Sequence, residues 1–383
     1  MKQVALILDV TRPYDRQVAA GIARYVREVA HWGLYAEDDP LAKMPDLRIW
    51  RGDGIIANLD DPKVQRAVRG LRLPVVGIGG AAEHPDQVRC AAYVTADNPA
   101  IARLAAEHLI ERGFRHFAYV GLPHQPRKPW VRLRARAFAE HLRRHGFSCA
   151  QFRGSLSTAR RWEPLQDEMT AWLGGQPTPL AVLACNDGRA RHVMEAARRI
   201  GRRIPEDLAV LGVDDDAMIC ELADPPLSSV LQGTDQIGYT AARLLDQLMA
   251  RRRIRQRWVA VPPIRISARR STDVLAVQDP DVAAAMREIR RQIGDRPRVS
   301  QLARQLHLSI NTLTRRFDRA LGRGVQQEIQ RVRAAAAREL LLSGNLPQKQ
   351  IARRVGYSSV QHMSAAFSRQ LGATPGALRR KLK

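Results

Sequence analysis

The chain has 383 residues, a usual apolar fraction of 45% and a formal net charge of +24. Because a single hydrophobic core rarely grows to this size, the length predicts two or three compact units. No apolar stretch approaches the roughly 18 residues of a membrane helix, and the short apolar run at residues 4–8 ends at Asp9, so we expect neither a membrane protein nor a signal peptide.

The cysteines carry no sign of a metal site or of disulfides. They are far apart, without a C-x-x-C pair, at Cys90, Cys149, Cys185 and Cys220. This spacing indicates buried thiols in a reducing compartment. We therefore expect a cytoplasmic protein with no metal and no other cofactor.

The positive charge is concentrated in the last quarter of the chain. Residues 281–383 hold 21 Lys and Arg against 6 Asp and Glu, a net of +15, which leaves +9 for the first 280 residues. Such an excess can indicate nucleic acid, an anionic membrane surface or an Arg-rich genome. Composition leaves these three explanations open, and the residue pattern has to decide between them.

Short β-branched runs alternate with helical patterns up to about residue 230, which predicts parallel sheets flanked by helices. The predicted strands are residues 4–9, 54–58, 74–78, 93–95, 116–120, 181–185 and 208–213. The predicted helices between them include residues 16–28, 99–112, 130–145 and 190–200. Two such sheets fit the length better than one.

The pattern changes after residue 213. A helix is predicted for residues 234–249 and extended chain for 258–266, and turn residues without a sustained period follow at 271–280. Beyond them the apolar spacing is helical throughout. We therefore predict a sensor domain at residues 1–272, a linker at 273–280 and an all-helical domain at 281–383.

Polar residues follow two of the predicted strands. Asn186 and Asp187 come directly after one, and Asp214, Asp215 and Asp216 come after another. Ligands of parallel α/β sheets bind at the carboxyl ends of the strands, so these positions predict a ligand cleft.

A neutral sugar would need polar groups for its hydroxyls and an aromatic face for its C–H surface. Asp214, Asn186, Arg134 and Gln232 could supply the first, and Trp162 the second. Each also has an ordinary structural explanation, as a helix cap, a turn residue, a solvated cation or a core aromatic.

The basic C-terminal domain contains a helix-turn-helix pattern twice. In the first copy the apolar positions are Leu302, Ala303, Leu306, Leu313 and Phe317, with Ser309 as the N-cap of the second helix. In the second copy they are Ile351, Ala352, Val355, Met363 and Phe367, with Gly356 at the turn. Two short helices of this kind can place the second one in a DNA major groove.

Residues 283–383 resemble the DNA-binding domain of AraC-type regulators. The resemblance rests on LARQLHLSINTLTRRFDRALG from 302, RAAAARELLLSG from 333, IARRVGYSS from 351 and FSRQLGATPGALRR from 367. It implies that DNA is read by Asn311, Thr312, Thr314 and Arg315 from one helix and by Gln361, His362 and Arg369 from the other. Arg, Gln, Asn and Thr suit base edges, although any one of them could instead anchor a phosphate. Met363 and Leu378 stand where aromatic residues are usual, which predicts looser packing.

The first 272 residues resemble the periplasmic-binding-protein-like sensor of LacI-type regulators. The matching positions are Arg134 in RLRARAF, Trp162, Asn186 in CNDGRA, Asp214 in GVDDD and Gln232 in SSVLQGTDQIG. Unlike that family, this chain shows its DNA-binding pattern at the C-terminal end.

Over its whole length the chain resembles xylose-responsive regulators, through YDRQVAAGI from 14, GDGIIANLDDP from 52, LPVVGIGG from 73 and RRSTD from 269. This implies that Tyr14, Asp15 and Arg16 belong to a pocket loop. It also implies D-xylose or a related sugar as effector, double-stranded DNA as partner, a homodimer, and contact with RNA polymerase.

Two other classes of function remain open. An enzyme fused to a DNA-binding module finds weak support in GIGG at residue 77, which lacks the rest of a phosphate-binding loop. An architectural DNA binder would use the first domain only to dimerise. The sequence favours an α/β two-lobed sensor followed by an all-α double helix-turn-helix domain, and a regulator that is not an enzyme.

Overall fold

The computed structural model describes residues 1–36, 47–80, 90–123, 128–155, 157, 161–274, 279–343, 346–371 and 374–376. The chain divides into two compact units. The first unit comprises Met1–Glu111 and Arg115–Val274, and the second comprises Arg112–Phe114 and Leu275–Lys383.

The first unit contains two six-stranded sheets, each the centre of one lobe. In lobe 1 the strand order is β11-β5-β4-β3-β1-β2, and every pairing is parallel. The strands are β1 (Gln3–Ile7), β2 (Gly33–Ala36), β3 (Gly54–Asn58), β4 (Val75–Ile78), β5 (Ala92–Ala96) and β11 (Trp258–Val261). The helices are α1 (Pro13–Tyr25), α2 (Pro62–Val68) and α8 (Thr234–Met249).

Lobe 2 has the strand order β12-β10-β9-β8-β6-β7, in which β12 is antiparallel to β10 and the other neighbouring strands pair in parallel. Its strands are β6 (His116–Val120), β7 (Cys149–Phe152), β8 (Leu180–Ala184), β9 (Leu208–Val213), β10 (Ser228–Leu231) and β12 (Arg265–Ser267). Its helices are α3 (Asn98–Glu111), α4 (Pro129–Arg144), α5 (Trp162–Gly174), α6 (Asp187–Arg199) and α7 (Ala217–Leu222).

Helices α1 and α8 pack together at two glycines. A Cβ on Gly21 would lie 1.9 Å from the carbonyl oxygen of Asp235, and a Cβ on Gly238 would lie 2.0 Å from that of Val18. Only glycine permits this close approach of two helix backbones.

The sequence did not predict all of these strands. The extended chain predicted at residues 258–266 is two strands in different sheets, because Pro262 and Pro263 interrupt it while the chain crosses between the lobes. Strand β10 was not predicted, because its first two residues, Ser228 and Ser229, are polar. Both serines are fully buried, with their hydroxyls hydrogen-bonded inside lobe 2.

The second unit is helical throughout its described residues. Its helices are α9 (Pro280–Arg291), α10 (Val299–Gln305), α11 (Ile310–Leu321), α12 (Val325–Ser343), α13 (Gln348–Arg354) and α14 (Val360–Leu371). One apolar core surrounds Phe317 and the other surrounds Phe367. Met363 is fully buried in the second core, and Leu378 lies outside the described residues.

Candidate ligand pocket and DNA-reading helices

A cavity of about 280 Å³ lies at the carboxyl ends of strands from both lobes. The residues that form its polar wall follow the strands of the two sheets: Tyr14, Asn58, Asp60 and Asn98 from the β1, β3 and β5 connections, and Asn186, Asp214 and Gln232 from the β8, β9 and β10 connections. A volume just below the roughly 300 Å³ where drug-sized pockets begin favours a small ligand.

Arg134 connects the two halves of the wall. Its side chain is buried, and its Nε and Nη2 donate to Asn98 Oδ1 at 3.2 and 2.8 Å. Nη1 donates to the carbonyl oxygen of Cys185, and Nη2 also reaches Gln232 Oε1 at 3.4 Å. A guanidinium held by this many acceptors has a fixed orientation, as a binding site requires.

Asp214 is the acidic group of this wall. Its carboxylate accepts from Gln232 Nε2. Loss of solvent around the carboxyl raises the pKa of Asp214 to about 7, and the nearby Arg134 guanidinium opposes that rise. The backbone of Asp214 has φ +122, a conformation that non-glycine residues rarely adopt and that concentrates at functional sites.

The lobe 1 side of the pocket is also acidic. Burial raises the pKa of Asp60 to about 6, although the Gly80 amide donates to Asp60 Oδ1 at 2.8 Å. Beside it, the Tyr14 hydroxyl is buried without a hydrogen-bond partner among the described residues. Burial raises the pKa of Tyr14 well above its usual value, with Asp60 adding to the effect. An unpartnered hydroxyl at a pocket wall is a free group for a ligand.

Trp130 is the tryptophan of the cavity wall. It lies one helical turn before Arg134 on α4, with the guanidinium carbon 5.1 Å from the ring centre. Trp162 lies elsewhere, at the start of α5, where its indole is 48% exposed and meets the His192 ring edge-on.

Five of the nine predicted pocket residues therefore come together in the cavity wall: Tyr14, Arg134, Asn186, Asp214 and Gln232. Asn186 does so while its side-chain oxygen caps α6 by accepting from the Arg189 amide at 2.9 Å. The other four predicted residues, Asp15, Arg16, Asp187 and Trp162, are not in that wall. Asp15 is buried behind it and accepts from Asn58 Nδ2 at 2.6 Å.

Asp187 and Arg16 bond to the residues around Asp214. The carboxylate of Asp187 accepts from Ser229 Oγ at 2.6 Å and from the Asp216 amide at 2.9 Å, and burial raises its pKa. Arg16 extends from lobe 1 to Asp216, with Nη2 and Oδ2 3.4 Å apart. Both residues hold the strand-end loop of lobe 2 from outside the cavity.

Sequence reasoning missed Asn58, Asp60, Asn98 and Trp130. The first three had a usable signal, since each lies at the carboxyl end of a lobe 1 strand, where Asn186 and Asp214 lie in lobe 2. For Trp130 the sequence held only its spacing of four residues from Arg134, which places two side chains on one helix face.

Both helix-turn-helix pairs form as predicted. Ser309 caps α11 by accepting from the Thr312 amide at 3.1 Å, and Ser359 Oγ accepts from the His362 amide at 3.1 Å at the start of α14. Gly356 has φ +79 in the second turn, where a Cβ would lie 2.4 Å from the carbonyl oxygen of Ile293. Each second helix is therefore fixed by a cap and a turn.

The predicted DNA-reading residues lie on the outer faces of these helices. Asn311, Arg315, Gln361, His362 and Arg369 are exposed, and Thr312 and Thr314 are half-buried. Arg316, next to Arg315, is ion-paired instead with Asp279 and Asp281 at 3.2 and 2.6 Å.

The described residues contain no metal site and no disulfide. No group of His, Cys, Asp and Glu side chains there has the arrangement of a metal site. The cysteines are unpaired, with Cys185 and Cys220 buried and Cys90 and Cys149 half-buried. In the part of the chain that the structure describes, no helix is both long and apolar enough to cross a membrane.

A two-lobed α/β unit with a polar pocket, in one chain with a unit that carries two helix-turn-helix motifs, defines a DNA-binding regulator with a ligand sensor. Family models agree with each part. The XylR N-terminal domain matches residues 3–99, a periplasmic binding protein-like domain matches 106–272, and a helix-turn-helix domain matches 302–381.

Relatives extend this match over the full length. The chain is 31% identical to the xylose operon regulatory protein of Escherichia coli K12, over 97% of this chain and 95% of that protein. It is 32% identical to the protein of the same name from Haemophilus influenzae, over 98% of both. The structure of the xylose-binding transcription activator XylR matches with a TM-score of 0.64 at 30% identity, over 99% of this chain and 98% of that one.

The chain therefore belongs to the family of xylose operon regulatory proteins. These relatives are named as transcription regulators and not as enzymes. The family membership confirms the predicted regulator class and its two-part fold, and it sets aside the enzyme that the GIGG segment had left open.

Proposed function

We propose that D-xylose or a closely related sugar is the effector of this regulator and binds in the cavity of the first unit. The observation that carries the proposal is the convergence of Arg134, Asp214 and Gln232 with Trp130 in a cavity of about 280 Å³. Relatives named for xylose regulation support the choice of sugar.

Each wall residue has a chemical role in the proposal. The Asp214 carboxylate accepts hydrogen bonds from two sugar hydroxyls, while Arg134 donates to a sugar oxygen. Trp130 covers the C–H face of the ring, and Asn186 and Tyr14 add polar contacts. We keep Trp162 as a secondary candidate for the aromatic role, and we assign Asp15, Arg16 and Asp187 to holding the pocket loops.

A thermal-shift screen of monosaccharides on the full-length protein tests the effector. A ligand at 100 times its dissociation constant adds about 2.7 kcal/mol to the free energy of unfolding, so D-xylose at saturation raises Tm by several degrees. D-glucose and L-xylose serve as matched controls. No shift with any pentose would contradict the sugar assignment and favour a first unit that only dimerises.

We also propose that the exposed residues of α11 and α14 read DNA bases, namely Asn311, Thr312, Thr314, Arg315, Gln361, His362 and Arg369. Their position on capped second helices supports this role. Selection of sites from a random DNA pool by the wild type and by the Arg315→Ala variant tests it, because loss of a base contact relaxes the selected sequence at one position. An unchanged selected sequence would assign Arg315 to a phosphate.

The remaining partners are proposals from the class of regulator. We propose a cytoplasmic homodimer whose paired helical domains bind two DNA half-sites, a linker at residues 273–280, and contact with RNA polymerase. The division of the chain after Val274 supports a connection at that place. Sedimentation at micromolar concentration tests the dimer, and a polymerase recruitment assay on a promoter fragment tests the last contact.

A further inference from the structure

Three consecutive acidic residues after β9, here called the 214–216 loop, make three different contacts. Asp214 lies in the pocket wall. Lobe 1 contacts the loop through α1, where Gln17 Nε2 donates to the Asp214 carbonyl oxygen at 3.0 Å and Arg16 pairs with Asp216 at 3.4 Å. The loop therefore contacts both the cavity and the opposite lobe.

The side chain of the middle residue, Asp215, points away from the pocket and toward the last residues of the first unit. Its Oδ2 accepts from Ser267 Oγ at 2.6 Å, and its Oδ1 lies 2.8 Å from Arg269 Nη1. The same Nη1 donates to the carbonyl oxygen of Leu227 at 3.0 Å, and Arg269 Nε lies 3.2 Å from Glu221 Oε1. The Asp215 and Arg269 side chains are only 11% and 21% exposed, so solvent screens this ion pair weakly.

Arg269 begins the RRSTD segment, residues 269–273, which is the last stretch of the first unit before the chain continues to the DNA-reading unit. Ser271 and Thr272 are fully buried. Ser271 Oγ donates to the Val210 carbonyl oxygen at 2.6 Å, and Thr272 Oγ1 donates to Ser228 Oγ at 2.7 Å. The segment is thus attached to strands β9 and β10, the two strands that lead into the pocket.

The backbone of the 214–216 loop has an unusual conformation at two consecutive residues. Asp214 and Asp215 have φ values of +122 and +53, both in the region that L-residues rarely adopt. Two such residues in succession persist only where surrounding contacts determine the conformation. A loop held in this way leaves Asp214 and Asp215 little freedom to change conformation independently of each other.

We propose that the Asp215–Arg269 ion pair couples the pocket to the segment that leads to the DNA-reading unit, a role that rests on the sugar binding proposed above. Sugar on Asp214, together with closure of lobe 1 onto the loop through Gln17 and Arg16, favours one position of the loop. Through the ion pair, the position of Asp215 determines the position of Arg269, and the 269–273 segment moves with Arg269. Asp215 and Arg269 are positioning residues that touch no ligand.

Full-length variants test the coupling. Asp215→Asn removes the charge and keeps a residue that tolerates positive φ, Arg269→Gln removes the other partner, and Arg269→Lys keeps the charge. Arg270→Gln is the matched control, since Arg270 is the next residue, carries the same charge and is exposed. For each protein, calorimetry gives the Kd for D-xylose, and fluorescence anisotropy gives the Kd for a DNA site selected from a random pool, with and without D-xylose.

The readout is the factor by which sugar changes the DNA affinity, usually 5- to 150-fold in coupled sites. We expect this factor to fall to within about twofold of one in Asp215→Asn and Arg269→Gln, to stay partly intact in Arg269→Lys, and to equal the wild-type value in Arg270→Gln. The sugar Kd should change by less than about threefold in all of the variants. An unfolded first unit would lose sugar binding, so this result excludes unfolding as the cause of a lost coupling factor.

Two results would overturn the coupling. One is a wild-type factor in both Asp215→Asn and Arg269→Gln. The other is a loss of sugar affinity together with the loss of coupling, which would make the pair part of the pocket scaffold. A wild-type chain that binds DNA but no sugar would instead overturn the proposed effector, and the coupling with it.

Discussion

The two units present their functional residues in opposite ways. In the first unit, polar residues far apart in sequence converge on one cavity, and burial raises the pKa of Asp214 to about 7 and that of Asp60 to about 6. In the second unit, the candidate readers Arg315 and Gln361 are exposed on helices that are themselves defined by local caps and turns. A buried ligand site uses desolvated groups, whereas a DNA-reading face keeps its donors in water until the duplex arrives.

The largest expected effect comes from removing the buried acid, which should impair sugar binding and leave DNA binding intact. Asp214→Ala should weaken D-xylose binding by roughly 2–4 kcal/mol, because buried sugar hydroxyls and Gln232 lose a charged acceptor. DNA binding by the sugar-free variant should stay near the wild-type value. Calorimetry and anisotropy on the same preparation measure both, and an unchanged sugar affinity would remove Asp214 from the site.

A substitution on the exposed DNA-reading face should cause a smaller loss of binding free energy. Arg315→Ala should cost about 1–3 kcal/mol on the selected DNA site if the guanidinium reads a guanine. Arg287→Ala, which removes another exposed arginine, from α9, is the control and should cost less. Competition between specific and random DNA decides the matter, since equal losses on both would assign Arg315 to the phosphate backbone.

Burial should also make the sensor sensitive to pH. Because the pKa of Asp214 is raised to about 7, the carboxylate that accepts sugar is lost as pH falls through 7. The ionised fraction is roughly tenfold lower at pH 6 than at pH 8, so the apparent xylose affinity should fall about tenfold.

Asp214→Asn is the control for this titration. It has no carboxyl to protonate, so its weaker xylose affinity should vary less with pH than that of the wild type. Calorimetry at pH 6, 7 and 8 on both proteins makes the comparison. A wild-type affinity that stays constant across this range would show that the Asp214 carboxylate is not the acceptor.

The smallest expected effect on xylose binding distinguishes the two candidate aromatic residues, Trp130 and Trp162. Trp130→Ala should weaken xylose binding by about 1 kcal/mol, because a ring that covers one face of the ligand is lost. Trp162→Ala should leave the affinity within about twofold of the wild type, as its indole lies outside the cavity wall. The reverse order would restore Trp162 as the aromatic partner.

The same contrast explains what the sequence could predict. In the second unit the signals are local. Ser309 precedes its helix, Gly356 marks a turn, and apolar residues recur at helical spacing, so this cap, this turn and the apolar core positions were predicted correctly. Caps, turn residues and helical spacing are patterns of neighbouring residues, so a single sequence displays them.

The pocket depends on contacts that span the chain. Strand ends could be predicted, which brought Asn186 and Asp214 into the candidate site. Trp130 could not be chosen over Trp162, because the choice depends on how α4 and α5 pack on lobe 2. Asp187 was predicted as a ligand contact from its position after β8, yet its carboxylate turns inward to Ser229 and the Asp216 amide.

One titration tests the central claim most directly. The affinity of the full-length protein for a selected DNA site is measured by anisotropy at increasing D-xylose concentration. The proposed function predicts a change of at least about fivefold that saturates at the calorimetric Kd for the sugar, with a wild-type magnitude in Arg270→Gln and a reduced one in Asp215→Asn. DNA affinity that stays constant at every sugar concentration would contradict a xylose-responsive regulator.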